Sequence, residues 1–361
     1  PPFEKSAMDG WALRAADLAA DTRAALRVVG EARAGETFAG TVGPGECVAI
    51  YTGAEVPAGA DSVVMIEKSE RLEDGGVERV RFAEPPRTGQ HVCHRGEDLS
   101  RGKTVHEAGH RVRPADLGAL ASAGADPLDV FARPRVVVLT TGDELVPISS
   151  VPGPGQIRES NTVVIASLAR AAGAQVLSHS IVSDVRAEHV EAFGKALEAA
   201  DVVITSGGVS AGKYDLVGEA LEEVGVSCVF HKVAVKPGKP LWFGVRGEKL
   251  VFALPGNPVS TLVTHEVFVR PALRKLGGES RWSEPLLAGR FVGEPPPPLP
   301  REQHLPVAAR ACADGVMELE PVAWRGSADV IGLTRADGFV VCPANETLRS
   351  GALARWRPFG A

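Results

Sequence analysis

The feature that most narrows the folds open to this chain is an alternation of short apolar runs with helix-length segments from Arg135 to Leu276. The first three runs are Arg135 to Thr140, Gln175 to Val182 and Asp201 to Thr205. Helical stretches follow them at Thr162 to Ala172 (stopped by Gly173), at Arg186 to Ala199 and at Tyr214 to Glu223. Further strands are expected at Val226 to Val235, Pro240 to Val245 and Leu250 to Leu254, before a helix from Pro258 to Leu276. Repeated strand–helix–strand units close right-handed into parallel pairs, so the pattern predicts a mostly parallel sheet with helices on both faces.

The flanks read differently. Short alternating segments such as Cys47 to Tyr51 and Ser62 to Ile66, cut by Gly, Pro and Asp, predict a β-rich region, and Ala115 to Ala123 predicts a helix. After Gly277-Gly278 and the stiff run Pro295 to Pro298, short strands such as Val316 to Glu320 and Gly338 to Cys342 suggest a small barrel or sandwich. The expected class is an α/β multidomain protein. A central parallel α/β/α sandwich (133–280) is flanked by a β-rich domain (25–93) and a small C-terminal β-barrel domain (285–361). Segments 1–24 and 94–132 form a partly helical connecting domain. A length of 361 residues allows two or three domains at roughly 150 residues each.

Composition excludes several functions. Gly 40 and Pro 27 exceed the ordinary combined share of about 12% without any period, which signals turns and loops rather than collagen. Aromatics at 5% and a net charge of −6 leave neither stacking platforms nor a basic footprint for nucleic acid. No apolar run approaches the roughly 18 residues of a membrane span. The start, Pro1-Pro2-Phe3-Glu4-Lys5, has no signal-peptide pattern and no Met, so the chain is expected to begin inside a longer protein. The five cysteines are scattered, read as ordinary buried or half-buried side chains, and suit a reduced cytosol.

In open parallel sheets, ligands bind beyond the carboxyl ends of the strands. Those ends carry Thr140-Thr141-Gly142-Asp143-Glu144, then Ser183-Asp184, then Ser206-Gly207-Gly208-Val209-Ser210 with Asp215 beyond. Lys232, Lys236-Pro237-Gly238-Lys239 and Leu254-Pro255-Gly256-Asn257-Pro258 follow. Singly, each has a plain reading. Asp143-Glu144 is an exposed acidic turn, Asp184 a helix cap, the glycines a tight turn, and the lysines a solvated face. Together, carboxylates and lysines on one rim fit an anionic ligand arriving with a divalent cation. Lysines neutralise the anion, and Asp and Glu hold Mg²⁺ through few bonds and several waters. That points to metal-assisted phosphoryl or nucleotidyl transfer or cleavage.

Two familiar motifs fail. Gly207 to Lys213 spells a P-loop until Tyr214 stands where Ser or Thr should hold Mg²⁺. Gly208 to Gly212 spells a nucleophile elbow, but Ser210 lies about five residues beyond the strand rather than on a sharp turn. His91 and His94 are close together but lack matching ligands and read as surface residues.

Seven segments in order resemble the molybdopterin molybdenumtransferase (MoeA) family, whose animal counterpart is the E domain of gephyrin. They are Ser6 to Ala12, Tyr51 to Ala54, Arg95 to Asp98, Thr141 to Leu145, Ser206 to Ser210, Lys236 to Pro240 and Leu254 to Pro258. The resemblance implies insertion of molybdenum from molybdate into adenylated molybdopterin, with Mg²⁺-dependent release of AMP. It implies that Asp143, Glu144, Asp184 and Asp215 position Mg²⁺ and the phosphoanhydride. Thr141, Gly142, Ser206, Gly207, Gly208 and Ser210 would shape the ligand loops. Lys232, Lys236 and Lys239 would take molybdate or phosphate charge, Pro255, Asn257 and Pro258 would form the molybdate loop, and Ser327 would close it. The sulfur belongs to the substrate's dithiolene, so no cysteine needs to react.

The resemblance further implies a cytoplasmic homodimer in which the second subunit brings Asp9, Thr52, Glu97 and Asp98 to the cleft. Segments 1–24 and 94–132 would then serve dimerisation. A molybdopterin adenylyltransferase is an expected partner, and neither nucleic acid nor membrane is. Lys5 and Trp11 depart from the family's usual Asn and Tyr and receive no catalytic role. The family's N-terminal helical segment has no counterpart here, so dimer contacts are expected to be incomplete. The rival readings are a molybdopterin adenylyltransferase, which typically carries Gly-Gly-Thr-Gly where this chain has Gly207-Gly208-Val209-Ser210, and a gephyrin-like scaffold. Tungstate has the same shape as molybdate and fits the same loops.

Overall fold

The computed structural model describes residues 1–19, 24–208 and 216–359. The chain divides into two compact units, Pro1–His106 and Glu107–Ala361. The first is built on a six-stranded sheet in the order Ser62–Met65, Gly10–Leu13, Glu46–Ile50, Ala25–Ala32, Val77–Phe82, Ser69–Asp74. Side chains alternate between faces along a strand. Trp11 and Leu13 accordingly join one core with Leu26, Val64 and Phe82, while Ala12 joins Val48, Ile50 and Val63 in another. Trp11 is fully buried, its indole N–H donates to Ser69 Oγ at 2.9 Å, and the Arg71 guanidinium lies 4.9 Å from its ring centre. The departure at position 11 is thus a core residue with its polar tip satisfied.

The second unit contains the expected strand–helix alternation. Its elements are β1 (Arg135–Thr141), α1 (Asn161–Ala171), β2 (Gln175–Val182), α2 (Arg186–Ala199), β3 (Val202–Ser206) and α3 (Leu216–Glu223). These are followed by β4 (Ser227–Phe230), β5 (Val235–Lys236), β6 (Trp242–Arg246), β7 (Lys249–Leu254), α4 (Pro258–Thr264) and α5 (Arg270–Leu276). Six strands form one sheet in the order β2-β1-β3-β7-β6-β4. The first four are parallel, whereas β6 runs antiparallel to β7 and β4 antiparallel to β6. Strand residues alternate between two cores. Val137, Leu139 and Val203 pack with Phe193 of α2 and Leu221 of α3, and Val136, Val138 and Ile204 pack with Ile165 of α1 and Leu273 of α5. Burial on both faces explains why these strands read as continuous apolar runs.

Three local expectations need correction. The run Val226 to Val235 is not one strand: β4 ends at Phe230, and Val235 leaves this sheet to pair elsewhere. The helix from Pro258 to Leu276 is interrupted by a π turn at His265–Val269, a local insertion that apolar periodicity does not reveal. Cys228 is exposed rather than buried.

The C-terminal part is a closed barrel. Strands β8 (Leu287–Phe291), β9 (Glu302–Ala311), β10 (Met317–Pro321), β11 (Gly338–Cys342) and β12 (Leu353–Pro358) connect in the ring β9-β10-β8-β12-β11, and β11 returns to β9. Phe291, Val307, Leu319, Val340 and Trp356 fill it. The small strand β5 joins the barrel by pairing parallel with β9, so that Lys236 stands opposite Gln303.

Candidate active site

The carboxyl ends of β1, β3 and β7 open into a cleft of about 1390 Å³. Barrel residues and the α/β layer both line it. At the end of β1, Asp143 and Asp184 brace each other. The Asp184 N–H donates to Asp143 Oδ1 at 3.0 Å, and the Asp143 N–H donates to Asp184 Oδ2 at 3.4 Å. The helix cap expected of Asp184 is not made: the residue flanking α2 is Val185, without a side-chain cap. Asp184 and Glu144 line the cleft, and the exposed Asp143 is tied to it through Asp184. Thr141 is 4% exposed and its hydroxyl has no hydrogen-bond partner.

Glycine is required at the end of β3. Gly207 has φ +98°, and a Cβ there would sit 2.4 Å from the Thr141 carbonyl oxygen. Only glycine allows two strand ends to approach this closely. Ser206 Oγ donates to the Pro255 carbonyl at 3.1 Å and accepts from Asn161 Nδ2 at 2.9 Å. Asn161 Nδ2 also donates to the Gly256 carbonyl at 2.7 Å. One amide at the start of α1 therefore holds the β3 loop and the Pro-Gly-Asn-Pro loop together.

That second loop is tied to the barrel side. Asn257 Nδ2 donates to Ser327 Oγ at 2.8 Å, and the Val259 N–H donates to the Ser327 carbonyl at 3.0 Å. Replacing Asn257 with alanine is expected to lower stability by about 1 kcal/mol, the net value of one such bond, as a shift in the urea midpoint. No shift would mean that the side-chain bond adds nothing to the backbone one.

Cations line the same space. Lys236, Lys239 and Arg301 all border the cleft, and Lys236 precedes a cis Pro237. Among the described residues, none of the three forms an ion pair with a carboxylate. Unpaired cations gathered in a cleft make an anion subsite. Lys232 is exposed and does not line the cleft. Ser210 and Asp215 lie outside the described residues.

The remaining expected site residues belong to the first unit. Asp9 accepts from both the backbone N–H and the hydroxyl of Thr52, each at 2.7 Å. These bonds hold its carboxyl below the usual carboxylate range. Glu97 accepts from the His94 N–H at 2.7 Å, and Asp98 is exposed.

Among the cleft residues that sequence reading missed are Asn161, Arg301, His304 and Trp324. Asn161 stands just before the helix expected from Thr162, with no motif around it. Arg301 and His304 follow a proline run with no motif around them, and Trp324 precedes the Gly326-Ser327 turn by two residues. The one sequence signal among them was the closeness of Trp324 to Ser327. His189 also lines the cleft. Burial pushes its imidazole below the usual value, opposed by the charges of Asp184, Glu188 and Asp143.

Comparison with known proteins adds the following. Residues 1–124 match the MoeA N-terminal region (domain I and II), residues 137–275 a probable molybdopterin binding domain, and residues 294–359 the MoeA C-terminal region (domain IV). The chain is 39% identical to the molybdopterin molybdenumtransferase of Haemophilus influenzae over 285 residues, covering 79% of this chain and 69% of that protein. It is 35% identical to the molybdopterin molybdenumtransferase of Nostoc over 358 residues, covering 97% of this chain and 81% of that protein. A solved molybdopterin biosynthesis MoeA protein of Pyrococcus horikoshii overlays with a TM-score of 0.81 at 30% identity, covering 99% of this chain and 88% of that chain.

Proposed function

This chain belongs to the molybdopterin molybdenumtransferase family, and from that premise we propose how its α/β cleft serves molybdenum insertion. It is a transferase of molybdenum cofactor biosynthesis. The adenylyltransferase and scaffold alternatives are not favoured, because the named relatives are molybdenumtransferases and the matched regions run along the whole chain.

The observation that carries the site reading is one cleft holding two opposite chemistries. Unpaired Lys236, Lys239 and Arg301 suit an oxyanion, and the Asp143–Asp184 brace with Glu144 suits a hard divalent cation. The cross-bonded N–H groups orient both aspartates while leaving carboxylate oxygens as donors, which fits Mg²⁺ and its preference for oxygen. Glu144, Asp184 and Asp215 would hold the ion with Asp143. When bound, the ion neutralises phosphoanhydride charge that these carboxylates alone would repel.

The chain's own groups do the rest. Lys236, Lys239 and Arg301 draw the molybdate in. Asn161 fixes the β3 loop against the Pro255–Pro258 loop, and Ser327 closes that loop from the barrel side. Gly207 and Gly208 leave room for the adenylated substrate's phosphates beside β1. In the same reading the enzyme is a cytoplasmic homodimer whose second subunit supplies Asp9, Thr52, Glu97 and Asp98, and a molybdopterin adenylyltransferase delivers the substrate. Among the described residues, no helix is long and apolar enough to cross a membrane.

Protein, Mg²⁺ and adenylated molybdopterin are incubated with and without molybdate, and AMP is measured. Release that molybdate stimulates and chelation of Mg²⁺ abolishes is expected. Release indifferent to molybdate would overturn the proposed chemistry.

A further inference from the structure

We propose that Glu159 reads the pterin end of the substrate: its carboxylate accepts the paired N–H groups of the 2-amino-4-oxo pyrimidine edge, with Leu145 and Ile157 against the flat ring. The inference rests on the molybdopterin reading above and deepens it, by assigning one end of that substrate to one face of the cleft.

Residues Leu145–Val146 and Ile157–Arg158 form a short parallel ribbon in which Leu145 pairs with Ile157 and Val146 with Arg158. The ladder runs on at both ends. The Ile157 N–H donates to the Glu144 carbonyl at 2.8 Å, and the Glu159 N–H donates to the Val146 carbonyl at 2.9 Å. Paired residues in a parallel ladder project to the same face, and so do residues two apart on one strand. Leu145, Ile157 and Glu159 therefore share a face, and all three border the cleft. Arg158, also at the cleft wall, falls on the other face, where its Nε donates to the carbonyls of Ile148 and Ser150, each at 3.1 Å.

Folding alone does not account for this face. Glu159 is only 5% exposed, and its Oε1 accepts from the Thr162 N–H at 2.7 Å, which fixes the carboxylate at the start of α1. Among the described residues, Oε2 has neither a hydrogen-bond partner nor an ion-pair partner. It is not one of the polar atoms sealed from solvent, so it opens toward the cleft that Glu159 borders. A nearly buried carboxylate is costly unless its lone pairs are used, and a ligand is what can use them here. Ile157 is 56% exposed on the same wall, a large apolar side chain left for a ligand to cover.

The acceptor decides which ligand. An ionised carboxylate only accepts. Phosphate and molybdate oxygens would be repelled by it, and none of Lys236, Lys239 and Arg301 pairs with it to reverse that. A divalent cation needs several oxygens, and among the described residues Glu159 belongs to no group of three metal-type ligands. What fits is a neutral edge with two donors. Pterin presents the N–H of ring N3 beside the amine on C2, a planar pair that meets a carboxylate as a guanidinium does. The adenine of the same substrate does not, because ring N1 beside its amine is an acceptor and would face the carboxylate lone pairs. Each carboxylate oxygen has two lone pairs, so Oε1 can keep the Thr162 bond and still accept from the ring. The edge chemistry thus tells apart the two heterocycles of one substrate and sets its direction along the cleft.

The test uses pterin and lumazine, which carry an amine and a carbonyl respectively at C2, titrated into the full chain and followed by their fluorescence. Wild type is expected to bind pterin about tenfold or more tightly, the value of one hydrogen bond to a charged group. Glu159→Gln keeps a carbonyl for the Thr162 N–H but places a donor at the Oε2 position. Its preference should vanish or turn toward lumazine, with an unchanged thermal midpoint. Glu159→Asp keeps the charge but draws it back by one methylene, so it should weaken pterin and spare lumazine. Ile157→Ala should weaken both ligands by a similar factor and leave their ratio alone. Wild type without a preference, or a ratio unchanged in both Glu159 variants, would overturn the role of Glu159. Adenosine that displaces pterin and loses affinity equally in Glu159→Gln would give this face to the other heterocycle and overturn it too. Failure of the AMP-release assay with the pterin preference intact would sink the insertion chemistry and leave this inference standing.

Discussion

Replacing Asp184 with alanine lowers molybdate-stimulated AMP release by about a hundredfold or more, with the fold retained, in line with losing one preorganised polar group at a reacting phosphate. Asp184 is exposed at a strand end, so its removal opens no core cavity. What it removes is half of a reciprocal brace: its own carboxylate accepts from the Asp143 N–H, and its N–H orients Asp143. Asp143→Ala is therefore expected to cost about as much, and the double variant little more, because the two act as a unit. Single-turnover AMP release and a thermal melt check both claims. Normal turnover in either single variant would remove these carboxylates from the metal site.

Gly207→Ala is the second large effect, and it acts on stability as well as turnover. The added Cβ meets the Thr141 carbonyl oxygen at 2.4 Å, a backbone atom at the end of β1 that cannot swing aside. Together with φ +98°, this is expected to cost about 3 kcal/mol. Gly208→Ala is the informative contrast. Its φ of +68° is also strained, but the nearest obstacle is a Val217 methyl group at 2.5 Å, a side chain with room to adjust. Its cost should be smaller, about 1 kcal/mol. Urea unfolding of the pair measures the difference, and equal midpoints would show that the strand ends separate more easily than the geometry implies.

The elements legible in the sequence were those whose signals are local. Arg186–Ala199 and Gln175–Val182 have the extents expected, because helix and strand signals lie within each segment. The strand-end clusters were also legible, since parallel sheets place ligands at carboxyl ends. What escaped depends on partners far along the chain. Val235 reads as the tail of a strand in the central sheet, yet it pairs with Glu302, 67 residues away in sequence. Arg301, His304 and Trp324 border the cleft only because the barrel closes beside it, and no spacing within residues 295–330 announces that. Asn161 carries no sequence signal of its own, because its role is to span two loops that meet only in the fold.

The pairing of β5 with β9 has a mechanical consequence. The carboxylates that would hold the metal ride on the loops after β1 and β2, in the central sheet, whereas Lys236 is mounted on the frame of the barrel. In the proposed site, the gap between metal and oxyanion would thus be a tolerance set where the sheet and the barrel meet. The seam is apolar: Val235, Val259, Val263, Leu333 and Phe339 pack together across it. Packing changes there would retune that gap while every charged side chain stayed the same. Drift along this seam would then be a route by which related enzymes are calibrated for anions of slightly different radius.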